Sequence, residues 1–286
     1  MNVERRPDTA LEEPRAVQWL LVGLAVLLLC GLVLLPLLVV LAEALGQGVA
    51  AYFAAVEEPD TRAAIRLTLL VAAIAVPVNA LLGLATAWAV AKFEFPGKRL
   101  LLAFIDLPLA VSPVVAGFVL VLLFGAHGWF GAWLQAQGVQ VLFATPGIVL
   151  ATLFVTFPFV ARELIPLMQA QGREEEEAAA SLGAGGFAIF LRVTLPNIKW
   201  ALLYGVLLCN ARAMGEFGAV SVVSGHIRGL TNTLPLQVEI LHGEFQFQAA
   251  FAVASLLALL ALLTLVLKSW LEHRHGDALA PAARRH

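Results

Sequence analysis

The chain has 286 residues, of which 60% are hydrophobic and only 13% are charged. A soluble domain carries roughly 25% charged residues, so this composition excludes an ordinary water-facing surface. The formal net charge of −2 gives no indication of a nucleic-acid partner. We therefore expect a protein whose surface is covered largely by lipid.

Six apolar stretches are long enough to cross a bilayer, which takes ~20 helical residues. Their approximate cores are Val17–Leu41, Leu67–Ala91, Leu100–Phe124, Gly147–Met168, Ala201–Val223 and Ala249–Leu267. The first is longer than the apolar region of a cleaved signal peptide, about 7–15 residues, so we expect an uncleaved anchor. The sequence predicts an all-α membrane protein with about six transmembrane helices over residues 17–270, between tails 1–16 and 271–286.

Basic residues are concentrated in every second segment that separates the apolar stretches. They are Arg5, Arg6, Arg15, Lys92, Lys98, Arg99, Arg173, Arg192, Lys199, Lys268, Arg274, Arg284 and Arg285. Basic residues near span ends collect on the cytoplasmic side, so both termini are expected there. Six spans are consistent with that arrangement.

The segment Gly125–Leu142 is too short and too mixed in polarity to span. Its Trp129 and Trp133 favour an interfacial helix outside the membrane, in preference to a docking surface for a partner. Cys30 and Cys209 both lie in apolar runs, and we interpret them as buried small hydrophobes in preference to a disulfide.

The connection between the fourth and fifth stretches, residues 172–196, predicts a helix-turn-helix. Residues 173–182 are good helix formers with acids in the first turn, where the helix dipole favours them. Gly183 can end that helix, and Gly185-Gly186 permits a sharp turn. A second short helix, Phe187–Leu195, is then expected to end at Pro196.

This predicted helix-turn-helix has the chemistry of a docking surface. Ala178 and its two alanine neighbours present almost no side chain, so a partner's backbone can approach closely. Leu182 offers an apolar knob, and Glu177 can meet a basic rim. The alternative interpretation is an ordinary solvated acidic loop.

Glu177-Ala178-Ala179, three residues, Gly183, nine residues and Val193-Thr-Leu-Pro196 resemble the E-A-A-x3-G-x9-I-x-L-P motif of bacterial ABC importer permeases. The departure is Val193, where isoleucine is usual. The resemblance implies a type I ABC importer permease fold, in which this element is the coupling helix that docks into the ATPase subunit. The residues it assigns to docking are Glu177, Ala178, Ala179, Leu182, Gly183 and Pro196.

Further segments resemble the sulfate/molybdate group of these permeases. They are Phe95–Arg99, Asp106–Gly117, Arg192–Asn197 and Ala211–Val220. Within that group, Val222–Ile240 is most similar to CysW-type permeases. The Gly215-Glu-Phe-Gly218 element is shared with molybdate permeases, but the Ser224–Gly229 run favours sulfate or thiosulfate over molybdate or tungstate.

The resemblance also implies a multi-pass protein of the bacterial inner membrane with several partners. They are a homologous CysT-type permease, two copies of an ABC ATPase and a periplasmic sulfate-binding protein. The chain contains no G-x-x-x-x-G-K-[ST] phosphate loop, so ATP-Mg is expected on the ATPase. The chain itself is then a non-catalytic subunit that binds no cofactor.

Two charged residues, Arg212 and Glu216, fall within the fifth stretch, where an isolated charge costs roughly 2.5–3.5 kcal/mol. Their spacing of four allows an ion pair on one helical face, and the alternative is that Arg212 lies on an anion path. Ser112, before Pro113, either lines the path or bonds its own backbone. Asp106 is expected to be a hydrogen-bond acceptor facing the helix bundle.

The segment before the last stretch contains His226 and Arg228, for which we favour contact with the binding protein. Metal binding is not expected there, because the spacing matches no standard ligand pattern. Two other classes of membrane protein are less consistent with the sequence. A secondary transporter often shows a duplicated hydropathy pattern, which this sequence lacks. A membrane-embedded enzyme needs a nucleophile and a base within the apolar stretches, and no such pair is found there.

Overall fold

The computed structural model describes residues 15–283, and of the side chains after Leu271 only those of His273 and Arg274. The predicted tail residues Arg5, Arg6, Arg284 and Arg285 lie outside the described residues. Within that part the chain forms thirteen α-helices and one π-helical turn. They are α1 (Arg15–Leu45), α2 (Val49–Glu57), α3 (Pro59–Lys92), α4 (Lys98–Ala110), α5 (Pro113–Phe124), α6 (Gly131–Ala136), α7 (Thr145–Gln171), α8 (Glu174–Ser181), α9 (Gly186–Ile189), the π turn (Phe190–Thr194), α10 (Leu195–Met214), α11 (Gly218–Ser224), α12 (Leu234–Gly243) and α13 (Phe247–Ala283).

Five helical segments are long and apolar enough to cross a membrane, and a sixth crossing requires that α4 and α5 be taken together. The prediction of an all-α membrane protein with about six spans is confirmed. The third and fifth predicted spans are not continuous helices, however. Each is broken, and the two breaks are described below.

The core is built around α7, which packs between α3 and α10. A Cβ atom added at Gly83 of α3 would lie 2.7 Å from Cβ of Val160, and one at Gly205 of α10 would lie 3.1 Å from Cα of the same residue. Small residues at these two points let three helix backbones approach closely, as is common in membrane bundles. Val160 is fully buried as a result.

The third predicted span bends by 109° between α4 and α5. The bend falls at Val111–Ser112, immediately before Pro113. A residue that precedes proline is disfavoured in the helical region, and Ser112 is extended at φ −58° and ψ 133°. The prediction of a single helix over Leu100–Phe124 is wrong, because Pro113 starts a new helix.

The fifth predicted span is interrupted at Gly215–Phe217, between α10 and α11. The Gly215 N–H bonds the Ala211 carbonyl, and the chain then leaves the helix. The side-chain Oε1 of Glu216 accepts a 2.9 Å hydrogen bond from the Ala219 N–H in the first turn of α11. Glu216 therefore lies outside a helix and caps the next one, contrary to the predicted continuous span.

The predicted helix at residues 173–182 is confirmed as α8, but the second helix does not end at Pro196. It continues as α9, the π turn and α10 without a break. The Leu195 N–H bonds the Phe190 carbonyl five residues earlier, which widens the turn just before the proline. Such a wide turn accommodates the ring of Pro196 without ending the helix.

The predicted interfacial helix is reduced to α6, a six-residue helix flanked by turns. Trp129, just before α6, and Trp133, within it, are both well exposed. Both cysteines are free, and Cys209 is buried as predicted. The prediction for Cys30 is wrong, because α1 lies apart from the core and leaves this residue exposed.

Candidate functional site: the acidic hairpin and the paired breaks

Residues 172–197, here called the acidic hairpin, project from the end of the bundle where α3 and α7 finish. α8 has no buried residue, and Leu182 at its tip is 89% exposed. Gly183 adopts φ +86°, a left-handed conformation that favours glycine, and ends the helix. Phe187, in α9 on the second half of the hairpin, is also well exposed.

The residues predicted to dock a partner lie together on this hairpin. Glu177, Ala178 and Pro196 are exposed, whereas Ala179 is half-buried. Among the described residues, no hydrogen bond or ion pair involves the Glu177 carboxylate. An exposed leucine beside small residues and a free carboxylate can enter an apolar pocket with a basic edge.

Sequence reasoning missed the contacts that hold the hairpin to the bundle. Lys92, the last residue of α3, has its Nζ 3.1 Å from Oε2 of Glu176. Thr194 donates a 2.7 Å hydrogen bond to Oε1 of the same carboxylate. The sequence does show a lysine at the end of the second apolar stretch and a run of glutamates after the fourth. Their positions in the sequence do not show that these two ends meet in the fold.

A second lysine nearby makes a contrasting pair. Lys98 donates a 2.7 Å hydrogen bond to Glu94, whose side chain is largely exposed. This hydrogen bond and the lysine charge hold the pKa of the Glu94 carboxyl below its ordinary value. The carboxylate of the Lys98 pair is therefore open to water although the lysine is only 20% exposed, whereas both partners of the Lys92 pair are largely covered.

The two helix breaks, Val111–Ser112 and Gly215–Phe217, come together and are called the paired breaks below. A Cβ atom added at Gly218 would lie 2.9 Å from Cβ of Pro113. One added at Gly117 would lie 2.8 Å from Cβ of Val222. The helices that follow the breaks, α5 and α11, thus pack backbone against backbone at a distance that only glycine permits.

An ion pair lies at the second break. Nη1 of Arg212 is 2.6 Å from Oε2 of Glu216, and the Arg212 side chain is 33% exposed while that of Glu216 is fully buried. The structural ion pair that the sequence suggested is present, although Glu216 reaches it from outside the helix. Arg212 remains partly open, so its use on an anion path stays a prediction.

Asp106 does not make the contact expected of it, and Ser112 does not bond its own backbone, so its place on the path stays a prediction. Ser112 is exposed in the first break, and its hydroxyl has no hydrogen bond among the described residues. Asp106 was expected to face the bundle, but its Oδ1 lies 3.4 Å from Nε of Arg162, and both side chains are 57% exposed. Ile105 and Pro108 are the residues of α4 that are buried, so Asp106 lies on a more exposed part of the helix surface.

His226 and Arg228 both form ion pairs within the chain. Nε2 of His226 is 3.2 Å from Oε2 of Glu239, and Arg228 pairs with Glu244. These contacts tie the loop after α11 to the end of α12. All four side chains are partly exposed, so contact with a partner protein stays a prediction.

Comparison with known proteins agrees with this architecture. A family model described as "Binding-protein-dependent transport system inner membrane component" matches residues 79–276, more than half of the chain. An alginate ABC transporter chain from a crystal structure superposes with a TM-score of 0.71 over 91% of this chain and 95% of that chain, at 16% identity. That identity is informative for the fold alone.

Several proteins are much more similar to this chain in sequence than that structure is. The chain is 52% identical, over 91% of its length and 94% of the relative, to "Sulfate transport system permease protein CysW" of Synechocystis sp.. It is 51% identical to the CysW protein of Escherichia coli K12, over 90% of this chain and 88% of that one. It is 37% identical to the CysT protein of the same organism, over 89% and 92%.

The fold and these similarities define a class of protein: a multi-pass permease subunit of an ABC transport system, located in the inner membrane. The chain belongs to the family of binding-protein-dependent transport system inner membrane components. The resemblance to ABC importer permeases of the sulfate group is confirmed.

Proposed function

We propose that this chain is the permease subunit of an ATP-driven importer of sulfate or thiosulfate. The observation that carries the substrate is the extent of the similarity to sulfate permeases, 52% and 51% identity over nine-tenths of the chain. The CysT relative at 37% identity is named for sulfate as well. No observation favours molybdate or tungstate.

The proposed assembly contains four kinds of subunit. This chain pairs with a homologous CysT-type permease, and the two together form the path through the membrane. Two copies of an ABC ATPase bind on the cytoplasmic side, and a periplasmic sulfate-binding protein delivers the anion outside. We assign ATP-Mg and all catalysis to the ATPase, and no cofactor to this chain.

The proposed coupling runs through the acidic hairpin, which we place in the cytoplasm with both termini. Its free Glu177 carboxylate and the exposed Leu182 support insertion into a cleft of the ATPase. ATP-driven closure of the ATPase dimer would then displace α8 and alternate the bundle between outward-open and inward-open states. Arg212, Glu216 and Ser112 at the paired breaks are candidates for the path, and His226 and Arg228 for contact with the binding protein.

Docking is tested by copurification of the ATPase with tagged permease carrying Leu182→Arg. Leu182 is 89% exposed, so its replacement should leave the fold intact while a charge enters the proposed apolar pocket. We expect loss of the ATPase and of radiolabelled sulfate uptake. The matched control is Trp129→Arg, which changes an equally exposed apolar residue on the expected opposite side of the membrane.

Retention of the ATPase by Leu182→Arg at the wild-type ratio would contradict docking through this hairpin.

The substrate is tested separately with the wild-type importer. We expect unlabelled thiosulfate to compete with sulfate uptake, and molybdate at equal concentration to leave it unchanged. Uptake inhibited by molybdate alone would reverse the choice of anion.

A further inference from the structure

Lys92 joins the end of α3 to the start of the acidic hairpin. Its side chain is only 7% exposed, and its Nζ lies 3.1 Å from Oε2 of Glu176. The same ammonium donates a 2.5 Å hydrogen bond to the backbone carbonyl of Gly172. One buried cation therefore contacts both the residue that follows α7 and the first turn of α8.

The Glu176 carboxylate is also held from the opposite side. Its Oε1 accepts a 2.7 Å hydrogen bond from Oγ1 of Thr194, a buried residue of the π turn. Asn197 of α10 donates a 2.5 Å hydrogen bond to Oε2 of the neighbouring Glu175. The start of α8 is thus bound to α3 by Lys92 and to the π turn and α10 by Thr194 and Asn197.

An aromatic contact lies beside these polar contacts. The rings of Trp88, one helical turn before Lys92, and of Phe190 in the π turn have centroids 5.0 Å apart. Packed rings and a buried ion pair resist separation, because parting them would leave an uncompensated charge in a site of low polarity. The end of α3, the start of α8 and the π turn should therefore move together.

The four consecutive glutamates of α8 divide into two pairs with different surroundings. Glu175 and Glu176 bind the permease's own helices, as described above. The carboxylates of Glu174 and Glu177 are exposed, and no polar partner for them is found in the part of the chain that the structure describes. One side of α8 holds the bundle while the other is open to a second protein.

We propose that Lys92 is a positioning residue that carries the displacement of α8 into α3, and through α3 into the core. α3 packs along α7 over much of its length, so a pull at its end reaches the helices of the bundle. The inference rests on the proposed function, since it presumes an ATPase that moves α8. Lys92 itself is not placed in contact with ATP or substrate.

The test uses the complete importer, with both permeases, the ATPase and the binding protein, reconstituted in liposomes. The readout is the amount of sulfate transported per ATP hydrolysed. For Lys92→Gln we expect the ATPase to copurify at the wild-type ratio and to keep hydrolysing ATP. Sulfate transported per ATP should fall about fivefold or more, the size of a typical coupling between sites.

Two variants restore or isolate the interaction. Lys92→Arg keeps the positive charge and should recover most of the transport per ATP. Lys98→Gln is the matched control, because it removes a lysine from the same connection whose partner, Glu94, is largely exposed. Its transport per ATP should equal that of the wild type.

Several results would overturn the proposal. A wild-type ratio of sulfate to ATP in Lys92→Gln would do so, and so would a loss of assembled complex with an unchanged ratio per complex, since that is a purely structural role. If Lys92→Gln fails to assemble, Glu176→Gln must lower the ratio instead, and an unchanged ratio again rejects the idea. Failure of the wild-type chain to copurify with any ATPase would instead contradict the proposed function. That result is distinguishable, because it appears without any substitution at Lys92.

Discussion

The acidic hairpin is held to the bundle by charged and polar side chains, whereas the paired breaks are held by two backbones in close contact. At the hairpin, Lys92 and Thr194 both bind the carboxylate of Glu176. At the breaks, glycines at positions 117 and 218 leave no room for a side chain. The hairpin should therefore tolerate added volume on its exposed surface but not the loss of the Lys92 charge, whereas the close contact between α5 and α11 should not tolerate added volume.

The largest effect is expected from adding volume at the breaks. Gly117→Leu must displace Val222, because even a Cβ atom would lie 2.8 Å from that residue's Cβ. Overpacking of this kind costs about 3 kcal/mol, which should lower the melting temperature of the purified protein in detergent. The measurement is a thermal unfolding curve followed by tryptophan fluorescence.

The matched control is Gly185→Leu in the hairpin, where an added Cβ meets nothing within 4 Å and φ is −71°. Its unfolding curve should lie close to that of the wild type. Equal destabilisation by the two leucines would show that the contrast between the two regions is wrong.

The next largest effect is expected from Arg212→Gln. Glu216 is fully buried, so loss of its partner leaves a charge without compensation. The cost should be about 2 kcal/mol, less than for a fully buried pair, since Arg212 is 33% exposed. Glu216→Gln should cost less, because the amide oxygen can still accept the Ala219 N–H and the arginine can reach water.

The same two variants separate the two interpretations of Arg212. If it serves only the ion pair, sulfate uptake per folded complex should be similar in Arg212→Gln and Glu216→Gln. If the anion contacts the guanidinium, uptake should fall much further in Arg212→Gln. The measurement is initial uptake of radiolabelled sulfate normalised to assembled importer.

The smallest effect is expected from an exposed ion pair. Arg62 and Glu57 lie 3.6 Å apart with side chains 56% and 67% exposed. Glu57→Gln should change the free energy of unfolding by about 0.5 kcal/mol or less, because water screens both charges. An effect as large as that of Arg212→Gln would mean that burial does not explain the difference between these pairs.

Local patterns were sufficient to predict α8. Its acids sit in the first turn, good helix formers follow, and Gly183 ends it, so each choice agrees with the next. Ser112-Pro113 is an equally local signal, and it marks the first break. The residue before proline is restricted wherever it occurs, even in an apolar stretch.

The second break had a weaker local signal. Gly215 and Gly218 flank Glu216, but glycine is common in membrane helices, so a broken helix was not indicated. The break persists because Glu216 caps α11 and pairs with Arg212. Neither contact can be evaluated without knowing where the chain turns.

The sequence by itself determined the lipid-covered class, the approximate spans and the hairpin, because hydropathy, helix propensity and turn residues act over a few neighbouring positions. Tertiary structure alone decided that α5 meets α11 and that Lys92 meets Glu176. Those residues are distant along the chain, and they become partners only after α3, α7 and α10 have packed together. Ion pairs and close backbone contacts depend on that packing, since distance and burial set their strength.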